Sequence, residues 1–409
     1  MFYFNFYNLN DLVDDKLVLF LSFKIPKSTT SELYDFSLKK TEFSELETAI
    51  EESTYLILKM GTDILRVERQ SDIESKSMEK FLFRIKKDNN FNYLLENPSV
   101  LNFSEYNTES LNNKLWKTIN TIKNDTNDKM FINDDYFLSI NDIIKFGNIK
   151  YIVKEKSSNL NNDLNEIIEF NIDFCPSFKK YYNKESKDEK GKLILCEICN
   201  NYYCDEDNPL IGFCSCNYIH YKCLKTKIEM NTYKMEKEKV SNYYINNLKC
   251  KTCDFIFPLR FKLSEKKFEL INIETPSEEN IKYIILESIE KKIFYGYMKL
   301  IHVIKFNKNE DIINIGRNKV KNDMVICDPS VSKGHARFIY YENTGKILLK
   351  NLSKKFGSSV FIKNAINIGD KRIQIQIGKI LFETQKMKYG EFDKNRKRRK
   401  TKYPLPSKY

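Results

Sequence analysis

Eight residues between positions 196 and 253 carry metal-ligand chemistry, and they come in pairs. They are Cys196-x2-Cys199, Cys214-x-Cys216, His220-x2-Cys223 and Cys250-x2-Cys253. Two cysteines separated by two residues bend round one ion, because the turn points both thiolates inward. Zinc suits such donors: it takes tetrahedral sulfur and nitrogen ligands and has no redox chemistry. Eight ligands make two closed sites with no open coordination position. The expected role is structural, with two zinc ions supplying much of the folding energy of a short segment. The remaining cysteines, Cys175, Cys204 and Cys327, read as packing thiols, although Cys204 could substitute as a ligand.

A second constellation lies nearer the carboxyl end. Arg317 follows Gly316 at the end of a strand-like run, so its guanidinium can project from a loop. Arginine offers permanently charged, bidentate donors that match a dianionic phosphate. Ser332 adds a short hydroxyl donor and Lys333 a second positive charge. Clusters of this kind recognise phosphopeptides, and loops on a rigid scaffold suit the task. The bland reading of Arg317 alone is a surface ion pair.

Both constellations need elements to hold them. The chain has 409 residues, 41% of them hydrophobic, with 25 Tyr and 29 Phe. That is enough to bury several cores, and it argues against global disorder. Short apolar or alternating runs after Pro258 read as strands: 281–286, 300–306, 311–315, 324–327, 336–341, 347–352, 360–362 and 373–384. Their spacing predicts a β-sandwich over 279–385. Strand-like runs at 55–59, 81–86 and 143–153 make residues 1–170 a β-rich region. The stretch 144–151 resembles 375–382, each with a Gly where the chain turns (Gly147, Gly378). The amino-terminal region is therefore read as a degenerate copy of the carboxyl-terminal one. Between them lie a charged linker (171–192), the cysteine-rich domain (193–262) and a connector (263–278). The stretch from Cys223 to Cys250 is charged and reads as a helix with an extension.

Net charge is +12. Lysines and glutamates are mostly intermixed, as on a solvated surface. Residues 386–409 hold the exception, the run 394–402. Such a tail could bind acidic partners or nucleic acid, direct nuclear import, or simply aid solubility. No segment approaches the roughly 20 apolar residues of a membrane-spanning helix, and the start lacks the pattern of a signal peptide. The expectation is an intracellular protein, cytoplasmic or nuclear, with reduced cysteines.

The residues around the first constellation resemble the RING-CH (RING-variant) zinc finger, with its ligand order of four Cys, His and three Cys. The resemblance rests on Cys196-Glu197-Ile198-Cys199, on 208–216, and on Ile219-His220-Tyr221-Lys222-Cys223-Leu224. It implies a cross-brace: Cys196, Cys199, His220 and Cys223 on one zinc, Cys214, Cys216, Cys250 and Cys253 on the other. It also implies a contact between Ile198 and a ubiquitin-conjugating enzyme. Two features depart from the pattern. The gap from Cys216 to His220 is short, and Lys227 stands where the family has a groove-forming Trp.

The second constellation resembles the FHA domain, a β-sandwich that reads phosphothreonine. The markers are Ile315-Gly316-Arg317, Asn322-Asp323-Met324-Val325-Ile326 and Ser332-Lys333-Gly334-His335. By that resemblance Arg317 and Ser332 contact the phosphate, while Gly316, His335 and Gly357 brace the loops. Lys355 occupies a position that can reach the phosphate. Phe356 stands where an Asn that holds the peptide backbone is common.

Two functions follow from these resemblances. The first is an adaptor that binds a phosphothreonine-containing protein and carries a structural zinc finger. The alternative is a RING-type ubiquitin ligase whose sandwich selects phosphorylated substrates. Nucleic-acid binding rests on the basic run alone and is not expected.

Overall fold

The computed structural model describes residues 17–26, 34–38, 43–50, 54–59, 64–69, 81–87, 93–96, 111, 114–119, 136–156, 170–171, 179–181, 191, 193–263, 265–276, 281–289, 296, 299–307, 311–368 and 373–388. Cys175, most of the charged linker and the basic run 394–402 lie outside the described residues.

The amino-terminal stretch forms β1 (Leu17–Pro26), β2 (Phe43–Ile50), β3 (Thr54–Lys59), β4 (Ile64–Arg69), β5 (Phe81–Lys87), β6 (Tyr93–Glu96) and β7 (Trp116–Ile119). A triplet follows: β8 (Tyr136–Phe137), β9 (Ile143–Phe146) and β10 (Ile149–Lys156). The cysteine-rich stretch brings β11 (Phe170–Asn171), β12 (Lys179–Tyr181), β13 (Leu210–Gly212), β14 (Ile219–His220) and helix α1 (Tyr221–Met230). It continues with the hairpin β15 (Thr232–Glu236) and β16 (Val240–Ile245), then β17 (Arg260–Leu263) and β18 (Lys266–Glu269). The remainder is β19 (Lys282–Ser288), β20 (Lys299–Phe306), β21 (Asp311–Gly316), β22 (Met324–Val325), β23 (Ala336–Tyr341), β24 (Lys346–Asn351) and β25 (Ser358–Phe361). A second triplet closes the chain: β26 (Ile366–Ile368), β27 (Ile373–Ile377) and β28 (Ile380–Lys388).

These strands build two sandwiches that share one sheet of order β15-β16-β20-β19-β10-β9-β25-β7-β27-β28-β1-β2. Sheet β22-β21-β23-β24-β8 covers one half of it, and sheet β26-β6-β5-β3-β4 the other. Alternation decides which side chains go where, because successive residues of a strand face opposite sides. Ile284, Leu286, Leu300 and Ile304 join the core with Ile313, Ile315, Phe338 and Leu349 of the covering sheet. Their neighbours Ile285, Ile301 and Val303 face the other way and pack against the cysteine-rich domain.

The shared sheet reads the same from its centre outward in both directions. β25-β9-β10-β19-β20 on one side matches β7-β27-β28-β1-β2 on the other. The covering sheets have the matching order as well. Each sandwich is thus seven successive strands, β1–β7 or β19–β25, closed by the triplet that follows the other seven. β8 pairs with β24, β9 with β25 and β10 with β19. Reciprocally, β26 pairs with β6, β27 with β7 and β28 with β1. The two stretches that look alike in sequence are the hairpins of these triplets. Gly147 (φ 58°) and Gly378 (φ 50°) each take the first place of a two-residue turn, where positive φ matches the strand twist.

Boundaries drawn along the sequence therefore run across hydrogen-bonded sheets. The sandwich that carries Arg317 uses β8–β10 from within 1–170, and β26–β28 close the other sandwich although they follow Arg317 in the chain. Within the stretch read as a charged linker, β12 pairs with β13. Within the connector, β18 pairs with β17. The extension after α1 is the β15–β16 hairpin, whose second strand pairs with β20 along 240–245.

β7 and β25 meet at the centre of the sheet in antiparallel register, Trp116 opposite Phe361. Their rings lie 5.5 Å apart. Trp116, the single tryptophan, is fully buried; its indole donates to the Leu111 carbonyl and the Lys145 ammonium sits 4.6 Å from its ring. Among the described residues no helix is long and apolar enough to cross a membrane.

Candidate functional sites

The metal-ligand pairs form two cages. The donor atoms of Cys196, Cys199, His220 and Cys223 lie within 4.8 Å of one another, and so do those of Cys214, Cys216, Cys250 and Cys253. The first and third pairs share one cage and the second and fourth the other, so the ligand order interleaves. Two knuckles of like geometry supply the Cys-x2-Cys pairs. In one, Cys196 N donates to Asn201 O and Asn200 N to Cys196 O; in the other, Cys250 N donates to Phe255 O and Asp254 N to Cys250 O. The residue after the second cysteine is left-handed in each, Asn200 at φ 54° and Asp254 at φ 58°. Asn and Asp tolerate that conformation better than other non-glycine residues.

His220 ends β14 and caps α1, which brings Cys223 into the first helical turn beside it. Its Nδ1 lies 3.3 Å from Cys199 Sγ and 4.0 Å from Cys223 Sγ, while its Nε2 is buried without a hydrogen-bond partner. Burial opposes ionisation of Cys196 and Cys250, yet backbone N–H groups outweigh it. Those of His220, Cys199 and Ile198 lower Cys196, and those of Cys253 and Thr252 bring Cys250 down to about 7. The other sulfurs crowd one another. Cys216 is pushed up to about 12, first by its hydrogen bond to Cys253, and Cys223 to about 12 by burial and the nearby Cys196. Three thiols and an imidazole in the first cage, and four thiols in the second, each with one prepared thiolate, are what a dication would resolve, so each cage could hold one zinc ion. Cys204 is buried outside both cages, and burial raises its thiol.

The second site is made by three loops of the sandwich. Arg317 is exposed directly after β21. Its N–H donates to Ser332 O at 2.9 Å, and Asn318 N donates to Lys333 O at 3.2 Å. Gly316 allows this approach: a Cβ there would lie 2.5 Å from the Lys333 carbonyl oxygen. Ser332 and Lys333 thus sit on a loop bonded to the one that bears Arg317. The Ser332 hydroxyl in turn lies 2.9 Å from the hydroxyl of Ser353 on the third loop.

His335 braces the same three loops. It is fully buried; its Nδ1 accepts from Ser332 N at 3.0 Å and its Nε2 faces Gly357 O at 2.9 Å. The amide can only donate and the carbonyl only accept, so the ring is the neutral Nε2–H tautomer. Burial lowers its pKa to about 4. Gly357 adopts φ 67°.

Lys355 is engaged elsewhere. Its ammonium lies 3.7 Å from the Asp35 carboxylate, and Phe36 N donates to Lys355 O at 2.6 Å. The Phe36 ring lies against Gly357. A segment far away in sequence therefore covers part of the third loop.

Three contributors were given no role from sequence, although Asn322 opens one of the markers. Ser353 supplies the hydroxyl beside Ser332. Asn322, almost fully buried, donates to Lys333 O at 2.6 Å and Asn318 O at 2.8 Å. Asn351 accepts from Ser353 N and Ser358 Oγ and so shapes the third loop. The signal available was their type: short amides and hydroxyls fold back on nearby backbone.

No curated protein and no solved structure matches this chain. Residues 313–381, which run from within β21 into β28 and include Arg317, Ser332, His335 and Gly357, match the family model of the FHA domain.

Proposed function

We propose that this protein is an adaptor that binds phosphothreonine-containing proteins through Arg317, Ser332 and Lys333, with the two cysteine cages holding structural zinc. The observation that carries it is the locked pair of loops. Arg317 is exposed while its backbone is bonded to Ser332, in a segment matching the FHA domain. An arginine whose backbone is fixed beside a hydroxyl and a lysine offers charged donors to a phosphate from loops whose main chain is already ordered. The test is binding of the full chain to a phosphothreonine-peptide library, with unphosphorylated peptides as control. Selective binding that Arg317→Ala abolishes supports the reading; equal binding by variant and wild type sinks it.

A ubiquitin ligase is the second reading. It is favoured by Ile198, which is 40% exposed beside the first cage, in a stretch with exposed Leu195 and Tyr202. Lys227 in the last turn of α1 argues against it, since a charge replaces an apolar groove contact. Self-ubiquitination with a panel of conjugating enzymes separates the two readings, and silence across the panel leaves the adaptor.

A further inference from the structure

The hairpin β15–β16 lies between Cys223 and Cys250, inside the cysteine-rich segment, yet much of its bonding is to the sandwich. β16 extends the shared sheet by pairing with β20. From the turn, the Lys237 ammonium donates to the carbonyls of Lys319 and Asn322, the latter at 2.6 Å. Next to it, Lys239 pairs with the carboxylate of Asp311 at the start of β21. Further along, the fully buried Asn242 accepts from Val325 N at 3.2 Å and reaches Asp323 O at 3.4 Å. Tyr244 donates to Val325 O at 3.2 Å. Three side chains of one hairpin, Lys237, Asn242 and Tyr244, thus grip 319–325, and a fourth, Lys239, grips the far end of β21.

The gripped segment is the rest of the Arg317 loop. Asn322, whose carbonyl Lys237 holds, is also the residue whose side chain donates to Lys333 O. Lys333 O receives Asn318 N, and Ser332 O receives Arg317 N. Hydrogen bonds, joined by the peptide links 317–318 and 332–333, therefore lead from Lys237 to the backbone of Arg317 and Ser332. Lysine suits the first link. Its ammonium has three donors and no acceptor, so one group satisfies two converging carbonyls. Those carbonyls belong to a turn with no strand of its own between 317 and 323, Lys319 at its exposed crest and Asn322 on its buried side.

We infer that the β15–β16 hairpin is a positioning element for the phosphate-reading loop, with Lys237 as the residue that sets the loop. The cysteine-rich domain thereby acts on peptide binding in cis, through backbone geometry. This rests on the reading of Arg317 and Ser332 as the phosphate contacts.

The experiment compares zinc-loaded, full-length wild type with Lys237→Met and Lys237→Arg. Two readouts are taken: amide hydrogen exchange over 317–323, and affinity for a phosphothreonine peptide selected by the wild type. Loss of two hydrogen bonds to a charged donor is expected to speed exchange and weaken peptide binding by about tenfold in Lys237→Met. Zinc content stays at the wild-type level, and Lys237→Arg restores most of both signals. Unchanged exchange in Lys237→Met overturns the inference whatever the peptide does. Faster exchange with unchanged affinity also overturns it, because the loop would then be held but not set for binding. If the wild type binds no phosphopeptide, the phosphate reading fails by itself, and exchange over 317–323 still decides whether the hairpin holds the loop.

Discussion

The Nε2–H of His335 donates to the carbonyl of Gly357 at 2.9 Å, and this bond ties the Ser332 loop to the loop that follows β24. It requires a neutral ring, since the other nitrogen already accepts from Ser332 N. His302 is also fully buried, between Tyr151 OH and Asn242 Oδ1, and burial lowers it to about 3.

These two rings are expected to make the fold acid-sensitive. Unfolded histidine takes up a proton near 6.5, whereas His335 waits until about 4 and His302 until about 3. Between those values the unfolded chain binds more protons, so stability is complete above about pH 6.5 and falls as pH drops toward 4. The slope approaches about 1.4 kcal/mol per pH unit for each ring. Denaturant unfolding at pH 7.5, 6 and 5, with excess zinc throughout, measures it. A flat profile contradicts the neutral-ring assignment.

Gly316→Ala is expected to cost about 1–3 kcal/mol, because the added methyl meets the Lys333 carbonyl and the two loops must part. Peptide affinity should fall further than thermal stability suggests. The check is a melting curve beside a binding isotherm; a variant that binds as the wild type does would show that the close approach is dispensable.

Asp35→Asn removes the carboxylate beside Lys355. A 3.7 Å pair whose lysine is exposed to solvent is worth little, so the expected gain in phosphopeptide affinity is about two- to fivefold, largest at low salt. Fluorescence anisotropy at two ionic strengths measures it. Weaker binding by the variant would mean that the segment 34–38 supports the third loop rather than competing for Lys355.

Zinc content discriminates the cages. Cys216→Ser should lower bound zinc by one ion per chain, and Cys204→Ser should leave it unchanged, since Cys204 belongs to neither cage. Elemental analysis of the purified variants reads this directly. Zinc lost from Cys204→Ser would make that thiol a ligand.

The exchanged triplets predict that a chain cut between β10 and β11 stays whole. A protease site inserted between residues 157 and 169 yields two pieces, each holding strands of both sandwiches. They should co-elute until denaturant is added, with Trp116 fluorescence reporting the separation. Pieces that part under native conditions would refute the exchange.

Residue types and local spacing were enough to reveal the ligand pairs, the Gly316-Arg317 and Ser332–His335 markers, and nearly every strand of β19–β28. Such features are local: a knuckle, a strand or a tight turn is specified by residues within a few positions of one another. Even the likeness of 144–151 to 375–382 was visible, because both hairpins need Gly at one turn position.

What each hairpin pairs with was decided only in three dimensions. β9–β10 and β27–β28 carry nearly the same pattern, so pattern alone does not say which sandwich each completes. Lys237 likewise looks like one more surface lysine, and Lys355 like a free phosphate contact. Their partners, the carbonyls of Lys319 and Asn322 and the carboxylate of Asp35, lie far off along the chain. Such contacts depend on which strand edges meet, and that is a property of the whole sheet rather than of any segment in it.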